Sequence, residues 1–592
     1  MVIRSFRQCP CERRLGRGAA AGAMCGLGIL LWFCVSSRLM CGQELAAKND
    51  SIHGTVVNRV THEAVGHALV YSPDERFGTM TDSDGHFEFT FPNEINALEG
   101  NGAVAKVPTR QTGAVNPPYT LMARKPGFLT ESGRSLNLES GPKEITIWLV
   151  PEALITGHIA LPTADAPDRL QVEIYRREIR DGRPHWVQAG NTSTRSNGEF
   201  RFADLPAGIY RLLTRELLDR DPKDFAPGGQ VYGYPPVYYP SAPDFAAAGT
   251  IELAAGVTKR IDVSLVRQPY YPVRIPVANV PPGVSLNVVV SVLGRKGPGY
   301  ALGYNRGEQR IEGLLPAGTY KVEVQSFAPV AAAGATTITV QGRVEGPSMT
   351  LSMNPPIEVK VTEEFTSQQS NDSGVIAGGS RGPQRYLNLY LEPADDFEQG
   401  GSASLRPPSN PDDESLVLEH ILPGRYWVQP TAIVGYVAAM TSGVVDLLRE
   451  PLVVPVGRSL PPIEVRLRDD NASIEVTVES AANVPVQEAP GAVVALANQA
   501  GAVPGYANVY CMSTGESTGY FAQTNIAIGA GQVASIAVPP GVYRLLAFSD
   551  AQQDLEFRNP EAMRAYDGKG PVVRVAAGEK QRVQVPLIQS NE

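Results

Sequence analysis

The stretch "TDSDGHFEF", residues 81–89, packs three acidic side chains, a glycine and a histidine into nine positions. A calcium loop of the helix-loop-helix type needs oxygen ligands at alternate positions, a glycine at the sixth and a glutamate at the twelfth. With Gly85 as the sixth position, Met80 and Phe91 fall at the two ends, so that reading fails. What remains is an Asp-Gly turn followed by Phe87, Phe89 and Phe91 alternating with His86, Glu88 and Thr90. Alternation of period two beyond an Asp-Gly pair predicts a β-hairpin with one buried face. "TRSNGEFRF", residues 194–202, repeats the design with Asn197-Gly198.

A second unit recurs four times, as "FRFADLPAGIYRLLT" from Phe200, "QRIEGLLPAGTYKVEV" from Gln309, "LVLEHILPGRYWVQP" from Leu416 and "ASIAVPPGVYRLLAF" from Ala534. In each, an alternating run meets a Pro/Gly turn and resumes at a tyrosine. Pro423-Gly424 and Pro540-Gly541 suit a type II turn, because proline sets the first central φ and glycine accepts the positive second one. The later glycine of "PAG" at 206–208 and 316–318 suits a type I turn closed by glycine. Tyr210, Tyr320, Tyr426 and Tyr543 are expected to bury their rings and pass their hydroxyls to nearby backbone, as a tyrosine corner does.

"SIHGTVVNRVTHEAVGHALVYSPD", followed by "GTMTDSDGHFEFTFP" and, after an insertion, "PPYTLMARKPGFL", resembles the carboxypeptidase regulatory-like domain. That family is a transthyretin-like, carbohydrate-binding-like β-sandwich found beside D-type metallocarboxypeptidases and, in bacteria, ahead of outer-membrane receptors. The resemblance covers residues 51–150 well, 153–268 more loosely, and beyond that only the turn and its tyrosine. It implies a binding or structural module without catalytic residues. The insertion "NEINALEGNGAVAKVPTRQTGAVN" departs from the pattern by separating the phenylalanine strand from Tyr119.

The fold class expected is all-β, a tandem array of about five transthyretin- or immunoglobulin-like β-sandwiches. A chain of 592 residues exceeds a single core, and its 58 glycines and 49 prolines, without collagen-like period, suit short strands and tight turns. The modules are read as 51–152, 153–268, 269–354, 355–471 and 472–590. The fourth carries the low-complexity excursions "TSQQSNDSGVIAGGSRGPQ" and "FEQGGSASLRPPSNPDDE", expected to be mobile, and the last carries the one helical stretch, "NPEAMRAY".

Residues 1–42 read as a signal peptide or signal anchor. Arg4, Arg7, Arg13, Arg14 and Arg17 precede the apolar run "AAAGAMCGLGILLWFCVSS", and polarity then returns, which is the order of an export signal. Cleavage, lipidation at Cys41 and retention as an anchor all stay open. Five cysteines lie in this leader, leaving Cys511 alone in the body, so no intramolecular disulfide supports the modules. The net charge of −9 and the lack of a basic stripe exclude nucleic acid as the expected partner.

Three motifs invite an enzymatic reading. In "HEAVGH", His62 and His67 stand five apart, whereas a zinc-binding helix places its histidines four apart on one face. "GESTG", residues 515–519, matches a nucleophile elbow by letter, yet the elbow needs an α/β fold and a following helix. Cys511 reads as a buried strand residue. No catalytic, metal-binding or cofactor-binding residue is therefore assigned, no cofactor is expected, and a cryptic hydrolase is the weakest alternative.

"VYGYPPVYYPSAPDF", residues 231–245, is not absorbed by the strand pattern. Tyr232, Tyr234, Tyr238 and Tyr239, with Asp244 as an acceptor, form the candidate ligand-binding set. Tyrosine offers a flat apolar face with a polar tip, and the prolines stiffen the segment. The competing reading is a loop packed over a sandwich edge. The chain is thus expected to be a non-enzymatic exported protein of the cell envelope, in the periplasm, associated with the outer membrane, or extracellular. It would act as a binding or scaffold array whose partners are envelope proteins or polysaccharide, with membrane contact only through an uncleaved leader. A carbohydrate-binding module protein linked to polysaccharide uptake or degradation is the alternative. Only Trp148, Trp186 and Trp427 lie outside the leader, which weighs against it.

Overall fold

A computed structural model of the protein describes residues 50–588, apart from 72–77, 92–120, 130–143, 163–169, 217, 219–228, 293–294, 328–329, 367–386, 398–402, 408, 411–412, 414, 480–505, 515–518 and 529–531. The leader, Tyr119 with its insertion, and most of "GESTG" fall outside the described residues.

The described residues form ten sheets that pair into five sandwiches, each around its own apolar cluster. The all-β expectation holds, and the helical stretch is a single turn, Pro560–Met563, running into a 3₁₀ turn. Asn559 caps it by accepting from the Glu561 and Ala562 amides, and proline at the first position loses no hydrogen bond there.

One wiring recurs in all five sandwiches. The leading strand of each module lies between an antiparallel partner and the parallel strand that closes the same module. Asp50–Asn58 pairs this way with His86–Phe91 and Glu144–Leu149. Ala153–Ala160 lies between Glu199–Leu205 and Thr258–Ser264. Gln268–Ala278, Ile357–Glu364 and Ala472–Val478 are flanked in the same sense. Burial alternates along these strands, so that Ala153, Ile155 and Ile159 enter the core while Leu154, Thr156 and His158 do not.

The opposite sheet is built on the strand that follows the Pro/Gly turn. Tyr210, Tyr320, Tyr426 and Tyr543 are each at most 2% exposed. Their hydroxyls donate to the carbonyls four residues back, Pro206 at 2.6 Å, Pro316 at 3.1 Å, Leu422 at 2.8 Å and Pro539 at 2.7 Å. Each ring thereby fills the core while its one polar group ties down the turn.

The first two modules share a further device. Phe87 sits opposite Gly54, and Phe200 opposite Gly157. A Cβ on either glycine would come within 2.4 Å of the ring, so only glycine lets the phenylalanine lie flat across the leading strand. The neighbouring pairs Phe87–Phe89 and Phe200–Phe202 then meet edge to face, 6.0 and 6.1 Å between centroids.

Three residues separate the last strand of each module from the next leading strand, 150–152, 265–267, 354–356 and 469–471; in the third module that last strand, Ser352–Met353, follows the parallel closing strand and lies in the opposite sheet. Such a link spans only about 10–13 Å at full extension, so neighbouring modules are held close. Modules distant in sequence also touch. Arg59 of the first pairs with Asp550 of the last at 3.1 Å, and His185 of the second meets Asp396 of the fourth at 3.0 Å.

The excursion expected to be mobile in 397–414 is tied down in its described part. Ala403–Ser404 adds to the strand Leu387–Pro393, and Arg406 binds both Asp413 and Glu419. Low complexity concealed these contacts because Arg406 finds its carboxylates across the loop, Asp413 seven residues on and Glu419 thirteen, at no spacing a regular period marks.

Candidate functional site

Among the described residues, the opening acidic turn, "HEAVGH" and Cys511 are consumed by local structure. The Asp82 carboxylate accepts from the Asp84 and His86 amides at 3.0 and 2.8 Å, and Gly85 has the positive φ of 76° that the turn requires. Asp82 is thus a turn former. His62 and His67 both adopt positive φ, 59° and 54°, which makes "HEAVGH" a turn rather than a helix face. His62 instead meets the edge of Trp148 at 5.6 Å. Cys511 is fully buried in a central strand, and burial pushes its thiol up to about 12, so it carries no thiolate near neutrality.

The tyrosine-rich stretch is divided between two modules. Val231–Gly233 leaves the second sandwich and pairs antiparallel with Gln268–Tyr270, becoming an edge strand of the third. Tyr234 is 3% exposed and joins the core of the second module, and Tyr239 packs partly buried against it. Tyr238 is 4% exposed, and its hydroxyl donates to the Pro298 carbonyl of the third module at 2.5 Å. Asp244 accepts from the Ala247 amide and pairs with Arg295 at 3.3 Å. Of the five residues, only Tyr232 is well exposed, with the Arg267 guanidinium over its ring at 5.6 Å. Tyr234 and Tyr239 therefore spend their rings on the second module's core, while Tyr238 and Asp244 join modules two and three. As placed, they form no shared face for a ligand.

A second constellation was not singled out by sequence. The strands Leu170–Arg180 and Arg183–Ser193 form a long hairpin whose tip, Asp181-Gly182, leaves the second sandwich. It reaches the fourth and fifth. Asp181 adopts a positive φ of 45°, and its carboxylate receives Arg183 at 2.9 Å, Gln429 at 2.9 Å and Arg558 at 2.9 Å. Arg558 also donates to the Asp181 carbonyl at 3.0 Å. Arg183 lies over the Trp427 ring at 3.6 Å, and Arg177 pairs with Glu556 at 2.7 Å. Gly182 is pressed against Phe557, where a Cβ would approach the ring to 2.7 Å.

Two adjoining cavities of about 780 and 370 Å³ open at this junction and share Arg183, Trp427, Leu448, Gly519 and Arg558. The larger is lined by five arginines, 183, 449, 544, 558 and 564, with Ser513, Thr514 and Asn559 between them. Arg183 is pushed down to about 10, first by burial and then by the charge of Arg558. The Asp-Gly hairpin signal at 181–182 was present in the sequence. What it touches depends on residues more than two hundred positions away.

No protein-family model matches the chain, and a comparison with curated proteins finds no match either. Among solved structures, the chain is similar to the Bacillus anthracis TIE protein at 9% identity, covering 92% of this chain and 69% of that one, TM-score 0.13. The minor pilin GBS52 of Streptococcus agalactiae matches at 13% identity over 36% of this chain and 94% of that one, TM-score 0.16. BcpA, the major pilin subunit of Bacillus cereus, matches at 10% over 54% and 99%, TM-score 0.13. At these values the likeness carries no argument about function.

Proposed function

We propose that the chain is a non-enzymatic, exported protein of the cell envelope that acts as a compact binding and scaffold array of β-sandwich modules. The observation that supports this best is how its conspicuous polar groups are used. The four corner tyrosines, Asp82, Tyr238, Asp181 and Asp244 each hold a turn or join one module to another. Such an array presents fixed surfaces rather than a mobile catalytic cleft. The leader supports export, and the carboxypeptidase regulatory-like resemblance supports a binding role for the first two modules, in which the leading strand is paired alike.

The test is fractionation of the producing cells together with affinity capture from envelope extracts. The proposal expects the protein in the envelope or the medium, retaining an envelope protein or a polysaccharide. Residence in the cytoplasm, or turnover of ester, peptide or glycoside substrates by purified protein, contradicts it.

A further inference from the structure

Among the described residues, the cavity between modules two, four and five gathers five arginines in an otherwise acidic chain. We propose that this junction binds a carboxylated oligosaccharide, with the arginines holding carboxylates and the intervening hydroxyl and amide groups holding sugar hydroxyls. The proposal deepens the binding-array reading and rests on it.

Charge balance carries the first step. Among the described residues, the arginines at 183, 449, 544, 558 and 564 face the cavity. Of the residues lining it, five are arginine and one, Asp567, is acidic. Asp181 serves both Arg183 and Arg558, Asp567 serves Arg544 at 2.7 Å, and Asp446 serves Arg449 at 3.5 Å. Glu392 adds a second negative charge near Arg183, yet five guanidinium groups against one carboxylate on the cavity wall leave a positive potential there that an incoming anion relieves. Arg183 and Arg558 are only 20% and 18% exposed, so that potential is weakly screened.

Chemistry carries the second step. The planar guanidinium fork matches carboxylate in a bidentate manner, whereas lysine would act as a point charge, and all five cations here are arginine. Ser513, Thr514 and Asn559 add neutral donors and acceptors suited to hydroxyl groups. The volume of about 780 Å³ exceeds what one small anion needs and lies within the range of ligand-sized clefts. An extended acidic peptide fits less well. Met512, on the cavity wall, is already paired on both sides, with Phe521 and with Arg544, and offers no free edge for strand addition.

The experiment is calorimetric titration of the whole protein at low and moderate salt with four probes: a hexamer of galacturonate, a short poly(glycerol phosphate), oligoglutamate and maltohexaose. Arg449→Glu combined with Arg564→Glu is the principal variant, because both side chains are exposed and their reversal leaves the modules' cores intact. Arg183→Gln is the second. The expected result is galacturonate binding that weakens with salt and falls at least about tenfold in the double variant, with the melting temperature unchanged. Absence of galacturonate binding overturns the proposal, as does binding that the double variant leaves unaltered. Tighter binding of the phosphate polymer or of oligoglutamate overturns the carboxylated-sugar assignment. Maltohexaose binding unaffected by either variant, without galacturonate binding, overturns this site while leaving the binding-array reading standing.

Discussion

Replacing Tyr320 separates the two jobs of a corner tyrosine. Its ring is 2% exposed in the third module, edge to face with Tyr300 at 5.2 Å, and its hydroxyl donates to the buried Pro316 carbonyl at 3.1 Å. Tyr320→Phe keeps the ring and removes the hydrogen bond, for a loss of about 1–2 kcal/mol when the carbonyl is left without this donor. Tyr320→Ala removes the ring as well and leaves a cavity, at roughly 3–5 kcal/mol. A domain of this size has a stability of roughly 4–13 kcal/mol, so the alanine variant brings its module close to unfolding while the phenylalanine variant does not. Hydrogen exchange followed by mass spectrometry reads both. In residues 269–354, exchange should rise about 5- to 30-fold for phenylalanine and by more than about 100-fold for alanine, these being the same free energies written as opening constants. Modules one and five should change little. Unchanged exchange in Tyr320→Ala, or a rise of equal size in all five modules, would refute the view that each corner holds its own sandwich.

Gly157→Ala should destabilise the second module by at least about 1–3 kcal/mol, since the new Cβ would sit 1.9 Å from the Ile261 carbonyl oxygen and 2.4 Å from the Phe200 ring. A melting curve identical to the parent's would count against the glycine-under-phenylalanine device. Alkaline pH should destabilise the protein. Burial pushes Tyr210 and Cys511 up to about 12 and raises Tyr320 and Tyr543, so the native state holds protons that the unfolded state releases above about pH 9–10. That stabilisation is complete below the unfolded values and is lost as pH climbs through the native ones. Melting temperature measured from pH 8 to 12, with phenolate absorbance, should show the fall preceding full ionisation; a flat profile would contradict it. Chelators should leave melting unchanged, because the Asp82 carboxylate is occupied by its own turn. Loss of stability on chelation, restored by calcium or zinc, would overturn that.

Local grammar made the sandwiches legible. Asp-Gly and Asn-Gly turns, Pro/Gly turns and period-two runs specify strands within a few residues of one another, and the corner tyrosine follows from its own turn four residues back. The tyrosine-rich stretch was harder to read, because an aromatic loop looks the same whether its rings face a ligand or a neighbouring module. Tyr238 is decided by Pro298, sixty residues away. The junction cleft was hidden for the same reason in stronger form. Asp181, Gln429 and Arg558 come from three modules, and no spacing in the chain brings them together. Glycines 54 and 157 carried a signal that was missed, since each stands in register with a phenylalanine of the turn hairpin.

The central claim is that the five modules interlock rather than string out, with the second module's hairpin seated between the fourth and fifth. Small-angle X-ray scattering of the purified protein tests it most directly. A compact chain of this length has a radius of gyration near about 25 Å, and loops outside the sandwiches bring the expected value to no more than about 32 Å. Five sandwiches end to end, each about 35–40 Å along its longest strands, would give about 50 Å or more. A value near the lower figure, rising in Asp181→Ala as the hairpin loses Arg183, Gln429 and Arg558, is the result predicted. A value near 50 Å in the parent protein would contradict the interlocked array.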